Sequence, residues 1–377
     1  MRLEGRTETW AGPAGRRPRL LFLAHTLPYP PDGGVWIRTY HVLRILAQTF
    51  DVTALCFERL GRRGGESHDT AAAVRHLARF GRAEAFPVPQ RHSRLRFVWD
   101  HLRSVTRRRV YTWYLFDSAP YRQRLQALMG SEPYDLVHLD SVDLARYLED
   151  VSVPAVCVHH NVESVLLARR SSAERSRVRR AYLAYQARRM AELERWACRR
   201  AALNVVVSDR DGETLAARAP GARFLTVPNG VDTEFFRPAA EGAEAGILLL
   251  GGVEWFPNRD GLFYFCERVL PLVRSASEAS VRCVGRARAE DREYFRRRYG
   301  VELTGYVPDV RPYLRDAACV VVPLRVGGGT RLKILDAWAM GKAVVSTSVG
   351  CEGLEVRPGE NILVADTPEA FADAVLS

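Results

Sequence analysis

The chain is almost without lysine. Of its 55 lysines and arginines only Lys333 and Lys342 are lysines, and both fall in the stretch Val322–Gly353. No apolar run is long enough to cross a bilayer, and the N-terminus has no signal-peptide core, which argues against a membrane-spanning or secreted protein. The seven cysteines are scattered without a C-x-x-C pair, and several (Cys56, Cys157, Cys283, Cys319) sit in apolar segments. That pattern speaks for free thiols in a reducing compartment, so a cytoplasmic location is expected. Absent too are the G-x-x-x-x-G-K-[ST] P-loop, the G-x-G-x-x-G fingerprint and the G-x-S-x-G elbow. No Asp-x-Asp pair is expected at a strand end, no zinc ligands stand at metal-like spacing, and no repeat or low-complexity tract is evident.

Apolar residues make up 47% and charged residues 26%, as in ordinary soluble proteins. At 377 residues, two domains are expected. The formal net charge of +11 invites an anionic partner: nucleic acid, anionic lipid or a phosphorylated substrate. The charge is clumped. Arg91–Phe116 mixes arginine with Trp, Phe and Tyr, which suits an anionic membrane surface. Arg169–Arg200 reads as one long amphipathic helix with a solvated basic face.

Short β-type runs alternate with helical stretches. One series comprises Arg19–Ala24, Val52–Phe57, Leu136–Leu139, Ala155–His159, Leu203–Val207 and Phe224–Val227. A second comprises Gly246–Gly251, Ser280–Val284, Val301–Thr304, Cys319–Pro323, Ala343–Ser346 and Ile362–Val364. Alternation of this kind predicts an α/β protein with two Rossmann-like domains, their parallel sheets facing across a cleft. Met1–Arg17 reads as a disordered leader, 18–237 as the first domain and 238–377 as the second. The Asn-Gly turn and Ala/Gly-rich run of VPNGVDTEFFRPAAEGAEAG mark the linker, with the boundary near Arg237.

The richest segment is VVPLRVGGGTRLKILDAWAMGKAVVSTSVGCEG. An apolar strand ends in three glycines, Thr330 opens an amphipathic helix, and a second strand follows. Unpaired amides at such a helix start favour a phosphate. Lys333, a compact ammonium where nearly every other cation is arginine, lies on that opening turn. The alternative is a βαβ crossover whose glycines only tighten a turn. In the first half, HTLPYPPDGG carries another glycine turn, Gly33-Gly34, before a helix over Val35–Ala47. Farther on, VCVHHNVES delivers His159, His160, Asn161 and Glu163 at a strand end. Strand alternation lets only one of the two histidines face a site. The alternative is that one histidine caps the following helix while the other packs; on either reading neither is expected to matter for folding.

Together LPYPPDGG, HHNVES, VPNGVD, LTGYVPDVRPYL and GGGTRLKILDA resemble a retaining glycosyltransferase of the GT-B type, similar to family 4 (glycosyltransferase group 1), from about Arg19 onward. Within the family they resemble sugar transferases of bacterial exopolysaccharide clusters of the exosortase-associated kind. The resemblance implies a nucleotide-diphosphate sugar as donor, held mainly by the second domain. It implies a glycan or lipid-linked acceptor on the first domain and retention of configuration. No cofactor and no essential metal are expected, and no nucleic acid as partner.

By the resemblance, the turn Gly327–Thr330, with Gly328, Gly329 and Thr330, holds the donor phosphates, Leu332 is a further donor-binding residue, and Asp336 meets the ribose. Gly305, Tyr306 and Val307 meet the base. Asn258 and Arg259 lie after the first strand of the second domain, Gly33 and Gly34 approach the donor from the first, and His160 contacts its sugar. His160, Arg331 and Lys333 are the catalytic candidates. Three departures stand out. The family's E-x7-E pattern has glycine at 328 for its first glutamate and Asp336 for its second. Its G-R-x5-K pair is missing, so Arg331 and Lys333 are expected to supply the charge from the opposite helix.

The rival readings are a nucleotide-sugar 2-epimerase, with Glu163 and Asp140 as its loose acid/base candidates, a basic nucleic-acid-binding protein, and an inactive scaffold. The chain also reads as stopping before the family's C-terminal crossover helix. That predicts a bare apolar groove on the first domain.

Overall fold

The computed structural model describes residues 16–58, 69–90, 93–238 and 245–377. The expected leader therefore lies outside the described residues except for its last two. Those two are tied down: Arg16 grips Asp135 through two bonds of 2.9 and 3.0 Å, and Arg17 donates to the Ala47 carbonyl at 2.7 Å.

The chain forms two compact units, the first made of residues up to Ser164 plus Ala184–Val227, the second of Val165–Leu183 plus Pro228–Ser377. The divide at Val227–Pro228 precedes the expected boundary near Arg237 for a physical reason. Asn229 donates to the Thr330 hydroxyl, Phe236 packs on the core around Leu314 and Met340, and Arg311 lies 3.8 Å over the Phe235 ring. The basic stretch Arg169–Arg200 is two helices, Glu163–Ala173 and Arg177–Arg200. Arg180, in the first turn of the second helix, folds back onto the Glu174 carbonyl just past the end of the first.

The first unit holds β1 (Arg19–Ala24), β2 (Asp51–Phe57), β3 (Arg82–Phe86), β4 (Leu136–Leu139), β5 (Ala155–His159), β6 (Leu203–Val206) and β7 (Phe224–Thr226). They pair in parallel in the order β3-β2-β1-β4-β5-β6-β7. The second unit holds β8 (Ile247–Leu250), β9 (Val281–Val284), β10 (Val301–Leu303), β11 (Cys319–Val322), β12 (Ala343–Ser346) and β13 (Leu363–Val364), in the order β10-β9-β8-β11-β12-β13. Strand β3 was not expected; its RAEAF lacks a fully buried residue.

Both sheets are doubly wound. In β8, Ile247 and Leu249 enter one cluster while Leu248 and Leu250 enter the other, as alternation along a strand requires. Strand order reverses between β1 and β4 in the first unit and between β8 and β11 in the second. In open α/β sheets the carboxyl ends at such a reversal leave a crevice for ligands. The C-terminal helix Pro368–Leu376 buries Phe371 and Ala372 in the second unit's own core.

Candidate functional site

At the second unit's strand reversal, β8 ends in Gly251-Gly252 and β11 runs on to the glycine loop Gly327–Thr330. The helix behind the loop is Leu332–Ala339, capped by Arg331, so it starts two residues later than Thr330. Arg331 is buried, and its guanidinium donates to the carbonyls of Gly328 and Gly329. A Cβ at 327 would stand 2.2 Å from that guanidinium and would push it aside. Arg331 therefore shapes the loop by gathering its carbonyls inward.

Lys333 reaches back to the carboxyl end of β8. Its ammonium donates to the Leu250 carbonyl and, at 3.0 Å, to Asn258 Oδ1, while Asn258 Nδ2 donates to Gly252 at 3.0 Å. A Cβ on Gly251, whose φ is +120°, would stand 2.9 Å from the Lys333 nitrogen. Burial pulls the Lys333 pKa down to about 8 and pushes the Asp336 carboxyl up to about 7, each opposed in part by the other's charge. A buried ammonium beside bare glycine backbone is a ready counter-charge for an anion.

Arg259 does not join this group: it pairs with Asp291 at 2.7 Å and lies over Phe263. Gly305 has φ +83° and accepts from the Gly285 amide at 3.2 Å. Next to it Tyr306 is half exposed, with the Arg286 guanidinium 4.7 Å from its ring centroid. Val307 is partly buried against the core around Leu314.

The first unit gathers a second polar group at its own strand reversal. His25 follows β1, Asp140 follows β4 and His160 follows β5, and one ligand atom of each lies within 4.8 Å of the others. His160 Nε2 is 3.4 Å and His138 Nε2 3.7 Å from the Asp140 carboxylate, which also accepts from the Thr39 hydroxyl. Burial alone would raise the Asp140 pKa, but His160 and His138 outweigh it and hold the carboxyl below its usual range. Burial, with His160 adding to it, lowers His25 to about 4. Two imidazoles and a carboxylate form a donor set that divalent ions accept, which sequence spacing could not reveal because three separate strands supply it.

His159 turns the other way. It is fully buried, 3.2 Å from Asn204 Oδ1 and 3.6 Å from the Cys198 sulfur. Glu163 accepts from Asn161 at 2.9 Å, and burial raises its pKa. Gly33 caps the helix Gly34–Thr49, where a Cβ would meet the Trp36 ring at 2.5 Å. One Asp-x-Asp does follow a strand: Asp209 and Asp211 come just after β6. They open the helix Asp209–Arg218, where Ser208 Oγ donates to Asp211 at 2.8 Å.

The profile of Glycosyltransferase Family 4 matches residues 32–235, and that of glycosyl transferases group 1 matches residues 244–377. The chain belongs to glycosyltransferase family 4. This family 4 chain is 25% identical, over 140 residues, to an uncharacterized 44.6 kDa protein in the cps region of Klebsiella pneumoniae. The match covers 35% of this chain and 36% of that protein's length. Its fold resembles a sucrose-phosphate synthase of Thermosynechococcus elongatus, at 17% identity and TM-score 0.67 over 95% of this chain and 89% of that one. It also resembles Anabaena HepE solved with UDP-glucose, at 16% identity and TM-score 0.59 over 95% and 88%. At these identities the likeness is one of fold.

Proposed function

We propose that the protein moves a sugar from a nucleotide-diphosphate sugar to an acceptor hydroxyl, with retention, in the assembly of a cell-surface or secreted polysaccharide. The observation that carries this reading is the buried Lys333 ammonium set between the glycine ends of β8 and the loop Gly327–Thr330. As the sugar–phosphate bond breaks, negative charge grows on the diphosphate. Fixed amides and an ammonium beside it stabilise that charge without reorganising. Tyr306 with Arg286 offers a flat cationic face to a base, and Asp336 an acceptor to ribose hydroxyls. The cps-region relative and the UDP-glucose complex of HepE support the polysaccharide setting and the donor class. A thermal-shift panel of nucleoside diphosphates and their sugars tests the reading: a ligand at about 100 times its Kd adds roughly 2.7 kcal/mol. No shift with any of them would remove it.

The reading includes a metal-free mechanism, and transfer is expected to survive EDTA. Asp209 and Asp211 lie in the first turn of a helix capped by Ser208, whose hydroxyl donates to Asp211. The cluster of His25, Asp140 and His160 makes the chelator experiment decisive. Loss of rate with EDTA that returns with manganese, magnesium or zinc would transfer the chemistry to a metal.

A lipid-linked acceptor fits the helix Arg94–Thr106, which is built inside out. Asp100 and Ser104 are fully buried, while Leu95, Phe97, Val98, Trp99 and Leu102 are each more than half exposed. Arg96 and Arg103 neutralise Asp100 from the flanks. An apolar stripe bordered by arginines suits insertion at an anionic bilayer surface. Among the described residues, no helix is long and apolar enough to cross a membrane. Sedimentation with vesicles should show binding to phosphatidylglycerol that weakens in salt and is lost in Trp99→Glu/Leu102→Glu. Equal binding to neutral vesicles would count against it.

A further inference from the structure

The polar group at the ends of β1, β4 and β5 is close together without being satisfied. His25 Nδ1, His138 Nε2, Asp140 Oδ1 and His160 Nε2 are all buried, and none has a hydrogen-bond partner among the described residues. Buried polar atoms are normally paired, so four such atoms around one carboxylate call for a shared partner. The Asp140 side chain is fully buried and that of His160 keeps 8% exposure. Thr39 donates to Asp140 Oδ2, and His138 faces Oδ1 at 3.7 Å, so the carboxylate is held from two sides.

The spacing says which partner fits. His160 Nε2 stands 3.4 Å from Asp140 Oδ2, long for a hydrogen bond between a ring nitrogen and a carboxylate. Two ligands of one tetrahedral zinc, each about 2.0–2.1 Å from the ion, stand roughly 3.3 Å apart. A ligand atom of His25 lies within 4.8 Å of both, so a turn of one ring completes the set. Two imidazoles and a carboxylate suit zinc and its first-row neighbours, whereas magnesium prefers oxygen ligands. Arg38 also feels the Asp140 charge, which moderates the pull on a cation. We propose that His25, Asp140 and His160 bind a zinc-type divalent ion. Three protein ligands leave its fourth position to water. The ion takes the His160 nitrogen, so the loaded protein and the transferring protein exclude each other. That consequence rests on the glycosyltransferase reading above and agrees with transfer that survives EDTA; the site itself stands on the geometry of the first unit.

The test is titration calorimetry of the metal-free full chain with zinc chloride, beside the visible absorption of the cobalt(II)-loaded protein. One zinc should bind per chain with micromolar or tighter affinity, and magnesium should not displace it. Cobalt should give the intense bands of a four-coordinate ion. Asp140→Asn and His25→Ala should each weaken zinc by at least about 10- to 100-fold, since even the groups behind a metal ligand are worth that much. Should Asp140→Asn fail to fold, His25→Ala carries the test, because His25 Nδ1 has no hydrogen bond to lose. Wild-type protein that binds no zinc would overturn the site and leave water as the shared partner. Zinc held equally by His25→Ala would place the ion elsewhere and overturn it too. In single-turnover transfer, zinc should slow the wild type and EDTA should restore it; zinc that leaves the rate untouched would overturn the exclusion. Calorimetry and cobalt absorption read the site whether or not the chain transfers sugar, so failure of the glycosyltransferase reading would show separately, as no transfer even in EDTA.

Discussion

Nucleoside-diphosphate affinity should fall about 20-fold between pH 7.5 and 9.5, and Lys333→Met should bind about 100-fold more weakly at pH 7.5 with no such decline. Burial lowers Lys333 to about 8 in the unliganded fold, because an ammonium beside the Leu250 carbonyl has given up water. A bound diphosphate restores a partner and draws that pKa back up. Above pH 8 binding must therefore take up a proton, and each further pH unit costs close to tenfold in affinity. The unliganded fold responds in the opposite sense. The unfolded chain binds the extra proton between about 8 and 10.5, so this group's contribution to stability rises with pH across that window. Calorimetry in buffers of differing ionisation enthalpy would show the proton uptake directly. Flat wild-type affinity over this range, or normal binding by Lys333→Met, would detach Lys333 from the phosphate.

Much of this architecture was legible because buried parallel strands leave a strong signal. RLLFLA, ILLL and CVVV are near-continuous apolar runs that both faces of a sheet require. RAEAF at β3 has no such signal, since the outermost strand has only one neighbour and little burial to specify it. The glycine loop and its lysine were also readable, because spacing along one βαβ unit is local.

What escaped was assembly between distant segments. Nothing in HTLP, HLDS and HHNVES says that His25, Asp140 and His160 converge; that follows from β1, β4 and β5 lying side by side. Arg259 was expected near the donor because no other cation stood nearby in sequence, yet Asp291 of a following helix claims it. Arg331 lay one residue from where a phosphate ligand would begin, and one rotamer decides whether it faces the ligand or the loop's own carbonyls. The inside-out helix Arg94–Thr106 was visible as composition, while the burial of Asp100 that fixes its orientation was not.

The two adjacent histidines should separate cleanly by what their loss destroys. His160→Ala should cut transfer roughly 100-fold while leaving thermal stability close to wild type, on the scale of one lost polar contact to a developing charge. His160 stands at the carboxyl end of β5 beside Asp140, where its ring and the Thr39 hydroxyl share one carboxylate. His159→Ala should instead destabilise the first unit by about 2–4 kcal/mol, through a cavity and a stranded Asn204 amide. This departs from the expectation that neither histidine matters for folding. His159 is fully buried against Asn204 and Cys198, and burial lowers it to about 4, so the fold holds it neutral. His159→Asn, which keeps a polar group opposite Asn204, should recover part of the loss. Melting curves and single-turnover transfer on the same samples settle the matter. An inactive but fully stable His159→Ala beside an active His160→Ala would put the wrong imidazole at the sugar and overturn the assignment of both.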